Sequence, residues 1–113
     1  MTMKWKKAEE ICEGRKSHLV DINTAEENEF IKRTFIKNKE SSFHIGLSNA
    51  SKSESDFRWS DGSSSGLFSS WAPDQPSSVE AKRVLMNENG WNDVLGSRKA
   101  YALCEKRKGM LTF

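Results

Sequence analysis

The amino-acid sequence predicts an α+β domain, and three observations carry that expectation. Apolar residues recur at helical spacing only in the first third of the chain. The remainder consists of short β-branched and aromatic runs parted by Gly, Ser, Asn and Asp, and a long Ser-, Gly- and Pro-rich segment interrupts those runs. At 113 residues the chain has the length of a single domain, 1–113, with material for one core. Its 35% hydrophobic and 30% charged residues, with four Trp and six Phe, are the composition of a folded globule and not of a disordered chain.

Each element follows from local pattern. From Trp5 onward, Ala8, Ile11 and Cys12 share one helical face while Lys6, Lys7, Glu9, Glu10 and Glu13 occupy the other, and Gly14 marks the stop. The segment 18-HLVDI-22 reads as a short strand or an extended link. In 24-TAEE-27, Thr24 and Glu27 form a capping box that opens a second helix. Its expected buried face is Phe30, Ile31 and Phe35, with Ile36 beside them, and it runs to about Asn38. Strands are expected at 43-FHIGL-47, 57-FRWSDG-62, 83-RVLMN-87, 91-WNDV-94 and 100-AYALCEK-106. The loop between Asp61 and Ser78 contains Leu67, Phe68 and Trp71, large side chains with which it can anchor itself. A long loop of this kind within a small domain is characteristically functional.

Several function classes fall away. The net charge of +2 is the remainder of 18 basic and 16 acidic residues, too small a field to steer the chain to nucleic acid or an acidic membrane. The basic runs 4-KWKK-7 and 106-KRK-108 read as solvated termini. No apolar run has the length of a membrane span, and the N-terminus lacks a secretory signal pattern, so the chain is either excised from something longer or stays inside the cell. The sequence offers no nucleophile with a neighbouring base, no phosphate loop and no carboxylate pair in an apolar setting, so no enzyme is expected. His18 and His44 lack metal-ligand partners at suitable spacing and read as structural. Cys12 and Cys104 could close almost the whole chain into one loop, or stand as two buried thiols.

Taken in order, the first helix with Cys12, the helix opened by 24-TAEENEFI-31, 44-HIGL-47, 57-FRWSDGS-63, 71-WAPDQP-76, 91-WND-93 and 101-YALCEK-106 resemble a C-type lectin-like domain over nearly the whole chain. The resemblance implies a C-type lectin-like fold, two helices packed on an antiparallel sheet with a long ligand-binding loop. It also implies a Cys12–Cys104 disulfide and hence an extracellular or secreted setting, or the ectodomain of a larger protein. Gly46 takes the place of a glycine at which backbones approach closely, while Ile45, Leu47, Trp59 and Trp71 take core positions. Two departures stand out: the family's inner disulfide positions hold Arg83 and Gly96, and the family's first strand is missing, so an exposed edge beside 100-AYALCEK-106 is expected.

The same resemblance implies a function. Sugar-binding members hold Ca²⁺ with a Glu-Pro-Asn or Gln-Pro-Asp triplet, a separate Glu and the Asn-Asp of the Trp-Asn-Asp strand, and the same oxygens bind sugar hydroxyls. Carried over, the ligands are Gln75, Glu80, Asn92 and Asp93, with Ser77 at the third triplet position as a helper and Pro76 expected to be cis. Ca²⁺ takes about six to eight hard oxygens, and Ser77 supplies only a hydroxyl where the family has an amide or carboxylate, so a weak site is expected. The separate Glu falls near Glu80 or Ala81, of which only Glu80 could serve. Gln at the first triplet position accompanies galactose-type ligands in the family, but 77-SSVEAKR-83 supplies no aromatic to stack on the sugar. Two functions are therefore carried forward: a weakly Ca²⁺-dependent module for a carbohydrate or glycoprotein, and a calcium-independent lectin-like domain for a protein ligand. Ser77→Asp is expected to strengthen calcium binding and to change stability by no more than roughly 0.5 kcal/mol.

Overall fold

The computed structural model describes residues 1–49, 57–64, 68–77, 81–106 and 111–112. Helix α1, Trp5–Gly14, buries Trp5, Ala8 and Cys12 of the expected face, and Ile11 is only half-buried at its edge. Helix α2, Ala25–Phe35, is capped by Thr24, whose Oγ1 accepts from the Glu27 N–H at 3.1 Å. The Glu27 carboxylate reaches one residue further back than expected, accepting from the Asn23 N–H at 2.9 Å. The helix stops three residues before Asn38, because Ser41 Oγ accepts from the N–H of Lys37 and Asn38 Oδ1 from that of Glu40, and these local bonds compete with helical ones.

The buried face of α2 corrects one expectation. Ile31 is buried and Phe35 and Ile36 pack against the core, but Phe30 is 46% exposed and Asn28 is buried in its stead. Asn28, Ile31 and Phe35 stand three and four residues apart, so they form the inward stripe and Phe30 falls to its edge.

The strands, in chain order, are β1 Met3–Lys4, β2 His18–Leu19, β3 Phe43–Ser48, β4 Arg58–Trp59, β5 Arg83–Asn87, β6 Gly90–Val94, β7 Lys99–Ala102, β8 Cys104–Glu105 and β9 Leu111–Thr112. Among the described residues one sheet runs β1-β7-β3-β5-β6, with β4 on β3, and a second runs β2-β8-β9. The first sheet is mixed, not wholly antiparallel, since β3 and β7 pair in parallel. The run 100-AYALCEK-106 breaks at Leu103, so β7 joins the first sheet and β8 the second, while the Leu103 carbonyl accepts from the Val20 N–H at 3.0 Å.

The expected bare edge is covered. Met3 and Lys4 pair antiparallel with Ala100 and Lys99, and His44 Nε2–H donates to the Met3 carbonyl at 2.7 Å, so two residues suffice where a full strand seemed necessary. Cys12 on α1 and Cys104 on β8 are joined by a disulfide, with 5.4 Å between their Cα atoms. Around it Trp5, Ala8, Leu19 and Ala102 form a small cluster beside the main core of Ile31, Ile45, Leu47, Trp59, Met86 and Trp91. Gly46 is placed as expected: a Cβ there would lie 2.6 Å from the Leu19 carbonyl oxygen. Where the inner disulfide would start, the Arg83 guanidinium lies 4.6 Å from the centre of the Trp5 ring. The β5–β6 ladder is nevertheless continuous from Arg83↔Val94 to Asn87↔Gly90, so the strands pair along their length without that bridge.

Candidate functional site

The site is built on Trp91, which fixes both β6 and the loop beside it. The Trp91 ring is fully buried and meets Trp59, Phe68 and Trp71 edge-to-face, at centroid distances of 5.4, 5.8 and 5.8 Å. Its indole N–H donates to Asn28 Oδ1 at 3.1 Å, and Asn28 Nδ2 donates to Ser70 Oγ at 3.1 Å. A buried relay therefore runs from α2 through β6 to the loop, which explains why a polar residue occupies the inner face of that helix. Backbone bonds complete the attachment: Trp91 N–H to the Ser70 carbonyl and Ala72 N–H to the Trp91 carbonyl, each 2.9 Å.

Gly90 permits this closeness. With φ of +122° and a Cβ position only 2.6 Å from the Ser70 carbonyl oxygen, it is a place where any side chain would push the loop off the strand. Asn28, Ser70 and Gly90 were not among the residues singled out from sequence. The available signals were an Asn set within an apolar helical stripe and a Gly ahead of a Trp-Asn-Asp run.

From this platform the loop presents its polar residues. Gln75 and Pro76 are joined by a cis peptide bond, and the Gln75 N–H donates to the Ala72 carbonyl at 3.0 Å. Ser77 and Asp93 are brought into direct contact. The Ser77 N–H lies 2.9 Å from each Asp93 carboxylate oxygen, and Ser77 Oγ–H donates to Asp93 Oδ1 at 3.1 Å. Asn92 is held otherwise: its Nδ2 donates to Asn87 Oδ1 at 3.2 Å and to the Gly90 carbonyl at 3.0 Å, across the β5–β6 turn. Among the described residues no hydrogen bond links Asn92 to Gln75, Ser77 or Asp93. Glu80 lies outside the described residues.

Whether these residues suit a calcium ion can be tested on one atom. Gln75 Oε1 is buried without a hydrogen-bond partner, so it is an oxygen that a cation could use. Asp93 adds a carboxylate, and Ser77 adds a hydroxyl. Among the described residues no three His, Cys, Asp or Glu side chains are grouped to hold a metal. Among the described residues an ion here would rely on amide and hydroxyl oxygens beside one carboxylate, a set that suits a hard cation bound weakly and not zinc. His44 and His18 each donate to a backbone carbonyl, of Met3 and Leu19 respectively, as structural histidines do.

Known proteins give this geometry a context. The family model described as the lectin C-type domain matches residues 1–106. Human C-type lectin domain family 17, member A is 32% identical over 108 residues, which make up 94% of this chain and 28% of that protein. A rat relative, C-type lectin domain family 4 member A, is spanned to 44% of its length, so the chain covers less than half of these two curated relatives. Among solved structures, the C-type lectin domain of murine dendritic cell inhibitory receptor 2 in complex with N-glycan is similar with a TM-score of 0.81 and 26% identity, over 91% of this chain and 81% of that one. A calcium-independent type II antifreeze protein is similar with a TM-score of 0.77 and 25% identity, over 91% of this chain and 78% of that one.

Proposed function

The chain belongs to the C-type lectin domain family, whose members are binding proteins and not enzymes, and from that premise we propose that it is a carbohydrate-binding module with a weak calcium requirement. The buried, unpartnered Gln75 Oε1 carries this reading. Gln75, Asn92 and Asp93 are the residues that would hold the ion, with Ser77 as helper and Glu80 as the further carboxylate implied by family resemblance. Calcium, when bound, supplies open coordination positions for adjacent sugar hydroxyls. The chain's own part is to aim the oxygens. Trp91 and Gly90 hold the loop against β6, and Ser77 orients the Asp93 carboxylate through two kinds of donor. The murine relative solved with N-glycan supports a glycan as the ligand class. The disulfide supports an oxidising, extracellular setting. No described helix is long and apolar enough to cross a membrane.

Calcium titration by calorimetry, followed by titration with methyl galactoside and methyl mannoside, tests the reading. Saturable calcium binding in the millimolar range is expected, with at least a tenfold loss in Gln75→Leu and in Asp93→Asn. A lack of heat up to several millimolar calcium would favour the second reading, a calcium-independent domain for a protein ligand. One observation supports that alternative: both Asp93 oxygens already accept from Ser77, so the carboxylate is satisfied without an ion. The calcium-independent antifreeze relative shows that this fold exists without the requirement.

A further inference from the structure

Next to Asp93 lies a second feature that the calcium site does not use. The turn between β6 and β7 and the residues entering β5 border an open cleft of about 720 Å³, lined by Ala81, Asp93, Val94, Leu95, Arg98 and Lys99. The lining combines two chemistries. Ala81 and Val94 are buried apolar residues, and Leu95, 56% exposed, is with Met1 and Phe30 one of three exposed large hydrophobic side chains among the described residues. Arg98 and Lys99 supply positive charge, and no ion pair joins either to a carboxylate among the described residues. The acid in the cleft, Asp93, accepts three hydrogen-bond contacts from Ser77, so its charge is partly spent on the loop. Among the described lining residues, two cations stand against one carboxylate, a positive excess although the whole chain carries only +2.

An apolar wall beside an arginine and a lysine suits a particular kind of ligand. A planar guanidinium matches the paired oxygens of a carboxylate or a sulfate, an ammonium adds a point charge, and the apolar wall covers the C–H face or an acetyl methyl of a sugar. We propose that this cleft is a subsite for the acid group of a glycan, the carboxylate of a sialic or uronic acid or a sulfate ester, so that the protein selects acidic glycans over neutral ones. The inference rests on the carbohydrate-binding reading given above, since Asp93 belongs to both sites and places the acid group next to the sugar that the calcium site would hold.

Calorimetry with lactose, 3′-sulfated lactose and 3′-sialyllactose in saturating calcium tests it, using the whole chain and the double variant Arg98→Ser/Lys99→Ser. Both positions are exposed, and unchanged thermal unfolding would verify that the variant folds. The acidic sugars should bind about 3- to 10-fold more tightly than lactose, the scale of charge pairs at exposed sites, and the advantage should shrink as salt is raised. In the double variant that advantage should vanish while lactose affinity stays unchanged. A response to the sulfated sugar alone, or to the sialylated sugar alone, identifies which acid is the ligand. Equal affinity for acidic and neutral sugars, or an acid preference that survives in the double variant, overturns the proposal. If calcium fails to bind, the calcium-site reading falls by itself, and Arg98/Lys99-dependent binding of the sulfated sugar still decides whether the cleft recognises acids.

Discussion

Ser77 is the residue whose meaning changed most once its partners were known. By type it is a poor calcium ligand; by position it is the donor that aims Asp93, through its N–H at 2.9 Å and its hydroxyl at 3.1 Å. Ser77→Asp would place a second carboxylate against the first and remove the hydroxyl donor. Without calcium the variant should therefore lose about 1 kcal/mol of stability, more than a loop position suggests from sequence. With calcium the added charge should raise affinity roughly tenfold, because ligand charge tunes such sites. Urea unfolding with chelator and calorimetry with calcium measure the two effects separately. Stability that is unchanged in chelator would mean that the Ser77–Asp93 contact contributes little. Asn92→Ala is a less informative control, since its amide also ties the β5–β6 turn through Asn87 and Gly90.

At the scale of elements, β1 shows how little backbone is needed to close a sheet when a buried side chain assists. His44 is fully buried in β3, donates to the Met3 carbonyl, and leaves Nδ1 without a partner. Burial is the main cause that holds its pKa below 6.5, the hydrogen bond to Met3 opposes that shift, and the positive charge of Arg98 adds to it. The sign of the pH effect follows. The unfolded chain takes up a proton on His44 near pH 6.5, while the folded chain does so only at lower pH. Stability is full above that value and falls as pH drops from about 6.5 toward the folded pKa. Urea midpoints measured between pH 7.5 and 5.5 should decline in the native chain and decline less in His44→Gln, which keeps a donor for Met3 and loses the titration. Parallel curves for the two proteins would show that His44 does not govern this edge.

For the whole molecule, the Cys12–Cys104 bridge is a long-range covalent constraint, joining residues 92 apart in sequence. It ties α1, which packs on β7 of the first sheet and on β2 of the second, to β8 beyond the break at Leu103. Reduction should cost about 2–5 kcal/mol, the usual range for a native bridge in a small domain. Thermal unfolding of Cys12→Ser/Cys104→Ser against the oxidised chain measures it. A melting temperature unchanged by the double substitution would mean that the apolar core holds the sheets together without it.

The sequence by itself determined what depends on near neighbours. The start of α2 at Thr24, the limits of α1, the β5 run 83–87 and the apolar side of α1 follow from capping chemistry and periodicity, which act over a few residues. Resemblance extended this to the partner of Cys12 and to the loop residues worth inspecting. Only the tertiary structure decided how those residues are used. Periodicity could not distinguish Phe30 from Asn28, because Asn28 is inside for the sake of Trp91 and Ser70, far away in the chain. It could not break 100-AYALCEK-106 at Leu103, since the break arises from two different sheets claiming its two halves. Nor could it assign Asp93 to Ser77, or leave Gln75 Oε1 unpaired, because a hydrogen bond's partner is set by the fold that brings β6 and the loop together.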